Sequence, residues 1–271
     1  MGTAREAAPE IDRLVLSVWN PGPERSGRLA ELARDRGLES MELLPHFADF
    51  LLAGALTSEL ATLRMRYRPP SRVLARLDEL KAMDFISQGE NGLAAGPTMR
   101  PLLEALLEAR AEKAAESWGD DEDVATATEG AGKIGYAATV NHVVAVVHRT
   151  LPEPADPFHR LEHRLLTLRY IRQHDHAQAW LARGLTAPDM VLMTELWQNK
   201  QPADPRDGLA RLVELGLAEA DPLRLTDTGR EVREAIETET DARAQQAFDV
   251  LDGPAATRFL AALQRLPGTI G

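Results

Sequence analysis

The sequence predicts a mainly α-helical protein in which one arrangement of helices occurs twice. Hydrophobic residues make up 44% of the 271 residues, enough for a sizeable core, whereas aromatic residues make up only 5%. Segments that resemble strands are few and short. Residues 74–80 (LARLDEL) and 209–215 (LARLVEL) agree at six of seven positions. The segments that follow are three residues out of register, so the match suggests a duplication without proving one.

The N-terminal region predicts a loose arm followed by helices. Residues 1–10 are predicted to be the arm, and the apolar segment 11–19 a short helix ended by the break Asn20-Pro21-Gly22-Pro23. A helix is predicted over 27–37. Residues 41–55 are apolar over a wide arc, which predicts a central helix.

Residues 57–97 predict the order helix, turn, helix, short hairpin and helix. Thr57 is placed to cap a helix over 58–66, and Ser71, after Pro69-Pro70, is placed to cap a second helix that runs to Lys81. Segments 85–87 and 93–94 predict two short strands around a turn, and a further helix follows Pro97. This order is that of a winged helix.

Between the two copies, the sequence predicts a linker and then a buried helix. Residues 120–132 begin with DDED and continue with small residues, which is typical of a solvated linker. Residues 134–149 are strongly apolar, which predicts a buried helix. The proline-rich segment 151–157 predicts a rigid bend, with Asp156 as N-cap and Pro157 in the first turn of the next helix.

After that helix the winged-helix order repeats. Thr186 is placed to cap a helix, Asp204-Pro205 starts a short one, and Asp221-Pro222 forms a tight turn between segments 217–220 and 223–225. Thr226 is placed to cap a long helix over 227–251, and a last helix covers 254–266. We therefore predict tandem winged-helix domains with short β-hairpin wings, joined by long helices. The N-terminal helices and first winged helix would occupy 1–118, the linker and buried helix 119–155, and the connecting helix, second winged helix and C-terminal helices 156–271.

The connecting helix, residues 158–183, carries the most informative polar residues. Leu161, Leu165 and Leu168 form an apolar stripe that continues, one and two turns later, at Arg172 and His176. Buried polar groups require partners, which are commonly a carboxylate, a ligand or an ordered water. We predict a ligand-binding pocket in which these groups meet carboxylates of the long C-terminal helix. Its residues are Arg169, Arg172, His176, Glu237 and Asp241.

Two other interpretations of these polar residues remain open. The pairs could be a structural clamp between the two helices. Catalysis is a weaker alternative because the sequence has no nucleophilic triad, P-loop or GxGxxG turn, and it would require proton transfer around His176.

A DNA-binding surface is predicted in the first winged helix. Residues 61–76 contain five arginines and no acidic residue, and the second recognition helix, by contrast, has no net charge. The net charge of −11 argues against DNA, and the arginines could instead pair with acidic surfaces. The predicted DNA-binding residues are Arg64, Arg66, Arg68, Arg72 and Arg76.

The histidine spacing and the amino-acid composition predict whether the protein binds a cofactor and in which cellular compartment it lies. His159 and His163 have the i, i+4 spacing that can chelate zinc, but helix phase places them, with His174, opposite the leucine stripe. We therefore expect solvated histidines, no metal site and no other cofactor. The absence of Cys, of an N-terminal leader and of any apolar run long enough to span a membrane predicts a cytoplasmic protein with no membrane partner.

The segment 209–230 resembles the recognition helix, wing and following helix of MarR-like winged-helix proteins. The shared features are the spaced leucines and the LTxxGR ending, here Leu225, Thr226, Gly229 and Arg230. A wider segment, 151–267, resembles a largely uncharacterised actinobacterial helix-turn-helix family. That resemblance rests on Leu168, Arg169, Arg172 and His176 before the winged helix, and on Thr226, Gly229, Arg230, Arg233, Glu237, Thr240, Asp241 and Ala244 after it. It implies a winged-helix fold and a pocket.

The preferred hypothesis is a ligand-responsive, DNA-binding transcriptional regulator of the MarR-like type. The arginines would contact DNA, the pocket near Arg172 and His176 would bind a small molecule, and a homodimer would suit paired half-sites. The alternative is a winged-helix protein that does not bind DNA and that binds, sequesters or transforms a small metabolite in that pocket. A protein-interaction module is the third possibility.

Overall fold

The computed structural model describes residues 2–19, 22–119, 121–200, 202 and 206–268. Within these residues the chain forms helices and two antiparallel hairpins, so the prediction of a mainly α-helical protein is confirmed. The helices are α1 (Thr3–Trp19), α2 (Pro23–Asp35), α3 (Leu44–Leu52), α4 (Ser58–Arg64), α5 (Pro70–Ala82), α6 (Arg100–Trp118), α7 (Asp121–Tyr136), α8 (Val143–His148), α9 (Pro157–Leu181), α10 (Ala187–Trp197), α11 (Arg206–Glu214), α12 (Asp227–Phe248) and α13 (Gly253–Arg265). The strands are β1 (Ile86–Gln88), β2 (Leu93–Ala95), β3 (Ala218–Ala220) and β4 (Leu223–Leu225).

The same order of elements occurs twice. The first helix-hairpin unit comprises α4, α5, β1, β2 and α6, and the second comprises α10, α11, β3, β4 and α12. Each hairpin contains three residue pairs. The first pair is Ile86–Ala95 in one hairpin and Ala218–Leu225 in the other. The predicted starts of the helix at Asp204-Pro205 and of the linker at Asp120, and the break at Asn20-Pro21, lie outside the described residues.

Side-chain caps begin several helices where the sequence predicts them. The predicted cap at Ser71 is wrong, because α5 already begins at Pro70 and has no side-chain cap. Thr57 accepts a hydrogen bond from the amide of Leu60, and Thr226 accepts one from Gly229, each at 3.0 Å. Thr186 forms a reciprocal capping box with Asp189. These side chains satisfy amides that have no partner within their helix, which fixes where each helix starts.

Two hydrophobic cores divide the molecule. The larger core contains residues from 4 to 171 together with residues from 244 to 266, and the smaller contains residues from 177 to 236. The helices α9 and α12 each contribute to both cores. The cores therefore divide the chain differently from the three predicted segments, because the end of α12 and all of α13 pack with the N-terminal helices.

The predicted N-terminal arm is wrong, because residues 3–19 form one helix, α1. Its buried residues include Ala4, Ala7, Ile11 and Leu14, which lie on one face and pack against α9, α12 and α13. In the segment that was predicted to be an arm, the buried residues are Ala4 and Ala7, and their small apolar surface explains why the sequence did not indicate that the helix begins there.

The predicted linker is also wrong, because α7 is a helix that buries one face between α9 and α13. A Cβ atom on Gly130 would lie 2.4 Å from the ring of Phe259 on α13. The small residues that suggested flexibility therefore allow neighbouring helices to approach closely.

The predicted buried helix over 134–149 is wrong as well. The helix α7 ends at Tyr136, and the short helix α8 begins only at Val143. Tyr136 and Val140 are 71% and 85% exposed. Apolar residues in this segment therefore line a surface turn, and only part of the segment enters the core. In the described part of the chain, no helix is long and apolar enough to cross a membrane.

Candidate ligand-binding site

A cavity of about 370 Å³ lies between α1, α9, α12 and the turn that joins α4 to α5. This volume is at the lower end of the range typical of small-molecule sites, about 300–1,000 Å³. Its apolar lining includes Ile11, Leu16, Trp19, Leu168, Ile171 and Phe248. Its polar lining includes Asp12, His46, Arg64, Arg169, Arg172 and His176.

Three of the five predicted pocket residues line this cavity, and the other two lie behind it. Nη2 of Arg172 is 2.7 Å from Glu237 Oε2 and 3.0 Å from Asp241 Oδ1. The predicted pairing between α9 and α12 is therefore present. Arg169 pairs instead with Asp12 of α1, at 2.7 Å, so both arginines already have carboxylate partners.

Glu237 is the centre of the ion pairs on α12. It contacts Arg172, the buried Arg233 one turn away, and Nε2 of His176 at 3.4 Å. Burial alone would raise the pKa of Glu237, but the contact with His176 and the two guanidinium groups outweigh burial and hold this pKa well below its ordinary value. The carboxylate is therefore ionised at neutral pH and neutralises charge behind the cavity wall.

Tyr67 connects the first helix-hairpin unit to the second. It lies in the turn between α4 and α5, and its hydroxyl is 2.6 Å from Nδ1 of His176 on α9. Its ring also packs near Trp180, with centroids 6.5 Å apart. Burial raises the pKa of Tyr67, so the hydroxyl keeps its proton. With a neutral imidazole, the hydroxyl donates to Nδ1 while the Nε2 hydrogen faces Glu237.

Arg64 is the buried cation of the cavity. Only 7% exposed, it places its guanidinium 4.6 Å from the ring centre of Tyr170 and Nη2 3.2 Å from Nδ1 of His46. No carboxylate among the described residues pairs with it, and its buried Nε has no hydrogen-bond partner there. Burial, followed by the charges of Arg64 and other arginines, lowers the pKa of His46 to about 3, so His46 is a neutral acceptor.

The five predicted DNA-binding arginines do not share one exposed face. Arg64 is in the cavity rather than on the predicted surface, and Arg66 is partly buried, donating from Nε to the carbonyl of Leu63 at 3.0 Å. Arg72 and Arg76 are paired with Glu42 and Glu79, at 2.8 and 2.9 Å. Arg68 is exposed and makes no ion pair with any described residue.

The expectation of solvated histidines on α9 is wrong. His163 is 3% exposed, and His159 and His174 are partly buried, because α6, α7 and α8 cover faces of α9 that the leucine stripe does not include. The imidazole of His163 stacks on that of His148 with centroids 4.1 Å apart. Helix phase identified one buried face, but α9 is enclosed on several.

Asp49, His148 and His163 form a cluster of possible metal ligands. Their donor atoms lie within 4.8 Å of one another. Nη2 of Arg110 lies 3.7 Å from Asp49 Oδ2. A metal ion bound here would therefore have a guanidinium group beside its carboxylate ligand.

Sequence reasoning missed Trp19, His46 and Tyr67 as cavity residues. Tyr67 and His176 are 109 residues apart, and no local periodicity relates positions at such a distance. One signal was available for Trp19, because it follows the apolar stripe of α1. Once that stripe is taken as a helix, its last turn must pack against another element.

Comparison with known proteins gives a family for the chain. The chain belongs to a helix-turn-helix family, whose model matches residues 90–270. No curated protein and no solved structure was found to be similar to it. The match includes the whole second helix-hairpin unit. Trp19, His46, Arg64 and Tyr67 all lie outside the matched residues.

Proposed function

We propose that the protein is a DNA-binding transcriptional regulator of the winged-helix, MarR-like type, whose affinity for DNA is controlled by a small molecule in the cavity. The family supports the DNA-binding part of this proposal. The observation that carries the ligand-responsive part is the Tyr67–His176 hydrogen bond at the cavity wall. It joins the turn before the proposed recognition helix α5 to the helix that leads into the second unit.

Because of this position, a ligand in the cavity contacts a residue next to the proposed DNA-binding helix. A ligand shifts a conformational equilibrium only when it binds the two states with different affinities. Tyr67 lines the cavity and also precedes α5 by three residues. A ligand that displaces the Tyr67 ring would therefore move the start of α5 relative to α9. If DNA binds only one of these two arrangements of α5, the ligand changes the affinity for DNA.

The repeated element order supports two further parts of the proposal. The two helix-hairpin units would be tandem winged helices, which gives one chain two potential DNA-binding surfaces. A homodimer would double these surfaces around a two-fold axis, as paired half-sites require. Analytical ultracentrifugation with and without duplex DNA measures both stoichiometries.

The exposed arginines at the start of α5 offer a test of DNA binding. Arg68 precedes the helix, and Arg72 is 57% exposed despite its pairing with Glu42. We expect Arg68→Glu/Arg72→Glu to weaken binding to a labelled random-sequence duplex at low salt by at least about 10-fold in fluorescence anisotropy. The matched control is Arg258→Glu, an exposed arginine on α13 whose replacement should leave affinity nearly unchanged.

Binding should also weaken steeply with salt, because phosphate contacts release counterions. A wild-type protein that shows no binding at low salt would refute the regulator proposal. Equal weakening by the α5 and α13 variants would show that α5 is not the contact surface.

A small-molecule protein that does not bind DNA is the second candidate. It is favoured by the pairing of Arg72 and Arg76 with acidic residues and by the net charge of −11. Such a protein would bind, sequester or transform a metabolite in the same cavity. Absence of DNA binding together with retained ligand binding would establish this candidate.

A further inference from the structure

We propose that the cavity binds an amphipathic organic monoanion, a carboxylate with an apolar body, and that Arg64 is the residue that anchors it. The inference deepens the proposed function, on which it rests, by naming the chemical class of the ligand. Two observations support it: the distribution of charge around the cavity, and the volume and apolar residues of its lining.

The charges around the cavity balance except at Arg64. Arg169 pairs with Asp12, and Arg172 pairs with the two carboxylates of α12. Arg64 has no carboxylate partner in the described chain, although it is more deeply buried than either of them. A buried guanidinium without a counter-charge is costly, and a carboxylate at this position would satisfy it through charge-assisted hydrogen bonds.

The neighbours of Arg64 hold it in place without neutralising it. The face of Tyr170 supports the guanidinium, and Nδ1 of His46 accepts one hydrogen bond. Neither group supplies a negative charge. Nε of Arg64 is buried and has no hydrogen-bond partner within the described residues. The guanidinium is thus positioned before any ligand binds, which reduces the entropy lost on binding.

The rest of the lining selects an apolar body. Ile11, Leu16 and Leu168 provide aliphatic walls, and Trp19 and Phe248 provide aromatic ones. The volume of about 370 Å³ suits a molecule the size of a bicyclic aromatic or medium-chain acid. A highly charged phosphate ester fits less well, because it would bring two charges to a single unpaired arginine.

The test is isothermal titration calorimetry with matched pairs of probes. The probes are 2-naphthoate and 2-naphthamide, and decanoate and decanamide, in which each amide replaces the carboxylate with a neutral group. We expect at least one carboxylate to bind the wild-type protein about 10- to 100-fold more tightly than its amide, the range for a hydrogen-bonded buried charge. Arg64→Met should remove this preference, and Arg258→Met, which changes an exposed arginine on α13, should preserve it.

Two measurements on the Arg64 variants show whether a loss of binding comes from misfolding. Because Arg64 has no ion-pair partner in the described residues, Arg64→Met should not lower the thermal unfolding midpoint, and Arg64→Lys should keep part of the preference for the carboxylate. The proposal is overturned if the amides bind as tightly as the acids, if Arg64→Met retains the preference, or if no probe binds at millimolar concentration. The titrations contain no DNA, so failure of the regulator proposal would be seen in anisotropy alone.

Discussion

Replacing Glu237 by Gln tests whether the ion pairs on α12 stabilise the fold. The substitution keeps the shape of the side chain but removes the charge that faces Arg172, Arg233 and His176. Arg172 would retain Asp241 at 3.0 Å, whereas the buried Arg233 would lose its carboxylate. The principal cost is therefore a buried cation left without a counter-charge.

The expected magnitude follows from this burial. Removing one partner of a fully buried ion pair costs about 3–5 kcal/mol. Glu237 is 30% exposed, so solvent screening reduces the cost, and we expect about 2–3 kcal/mol for Glu237→Gln at pH 7. For a chain of this size, that loss lowers the unfolding midpoint by about 5 °C. Differential scanning calorimetry measures it, with the exposed Glu234→Gln as the matched control, expected to change stability by less than about 0.5 kcal/mol.

The stability lost in Glu237→Gln should become smaller as the pH falls. The folded pKa of Glu237 lies well below its ordinary value of 4.5, so its stabilising contribution is fully present above about pH 4.5 and is lost as the pH falls toward the folded pKa. The difference between the variant and the wild type should therefore shrink between pH 5 and pH 3. A midpoint within 1 °C of wild type at pH 7, or a difference that grows on acidification, would refute this account of the ion pairs.

Two further predictions concern His46 and Gly229. Because the pKa of His46 is lowered to about 3, its ring should stay neutral at pH 5 in an NMR titration, and a midpoint near 6.5 would contradict its burial beside Arg64. The unfolded chain takes up that proton below about pH 6.5, so His46→Gln should make stability less sensitive to acid between pH 6.5 and pH 3. A Cβ on Gly229 would lie 2.0 Å from the backbone carbonyl oxygen of Leu217, which directly precedes β3, so Gly229→Ala should cost about 1–3 kcal/mol in chemical denaturation. Gly27→Ala, on the open side of α2, is the control and should be neutral or stabilising; equal effects of the two would show that the close approach is not a constraint.

The sequence predicted those parts of the fold that local chemistry determines. Helix starts at Thr57, Thr186 and Thr226 follow from a side chain bonding an amide three residues away, which is a local interaction. The hairpin after each pair of helices follows from turn residues and short apolar segments. The pairing of Arg172 with α12 could also be predicted, because helix phase placed both sets of side chains on facing surfaces.

The parts that the sequence did not predict depend on which elements meet. Residues 121–136 have the composition of a linker, and only the arrival of α9 and α13 makes their small side chains useful for packing. Arg64 belongs to an arginine-rich segment that suggests DNA, yet its helix turns it toward Tyr170 and away from solvent. In both cases the decisive partner lies more than 20 residues away along the chain.

The position of α1 limits how the protein can be divided. The family match begins at residue 90, whereas α1 covers α9, α12 and α13 from the other end of the sequence. A truncated chain that begins at residue 90 would expose those apolar faces to water and would lose the wall of the cavity that contains Trp19 and Arg64. Such a fragment should aggregate rather than behave as an independent domain. The segment by which the family is recognised is therefore smaller than the unit that must fold together.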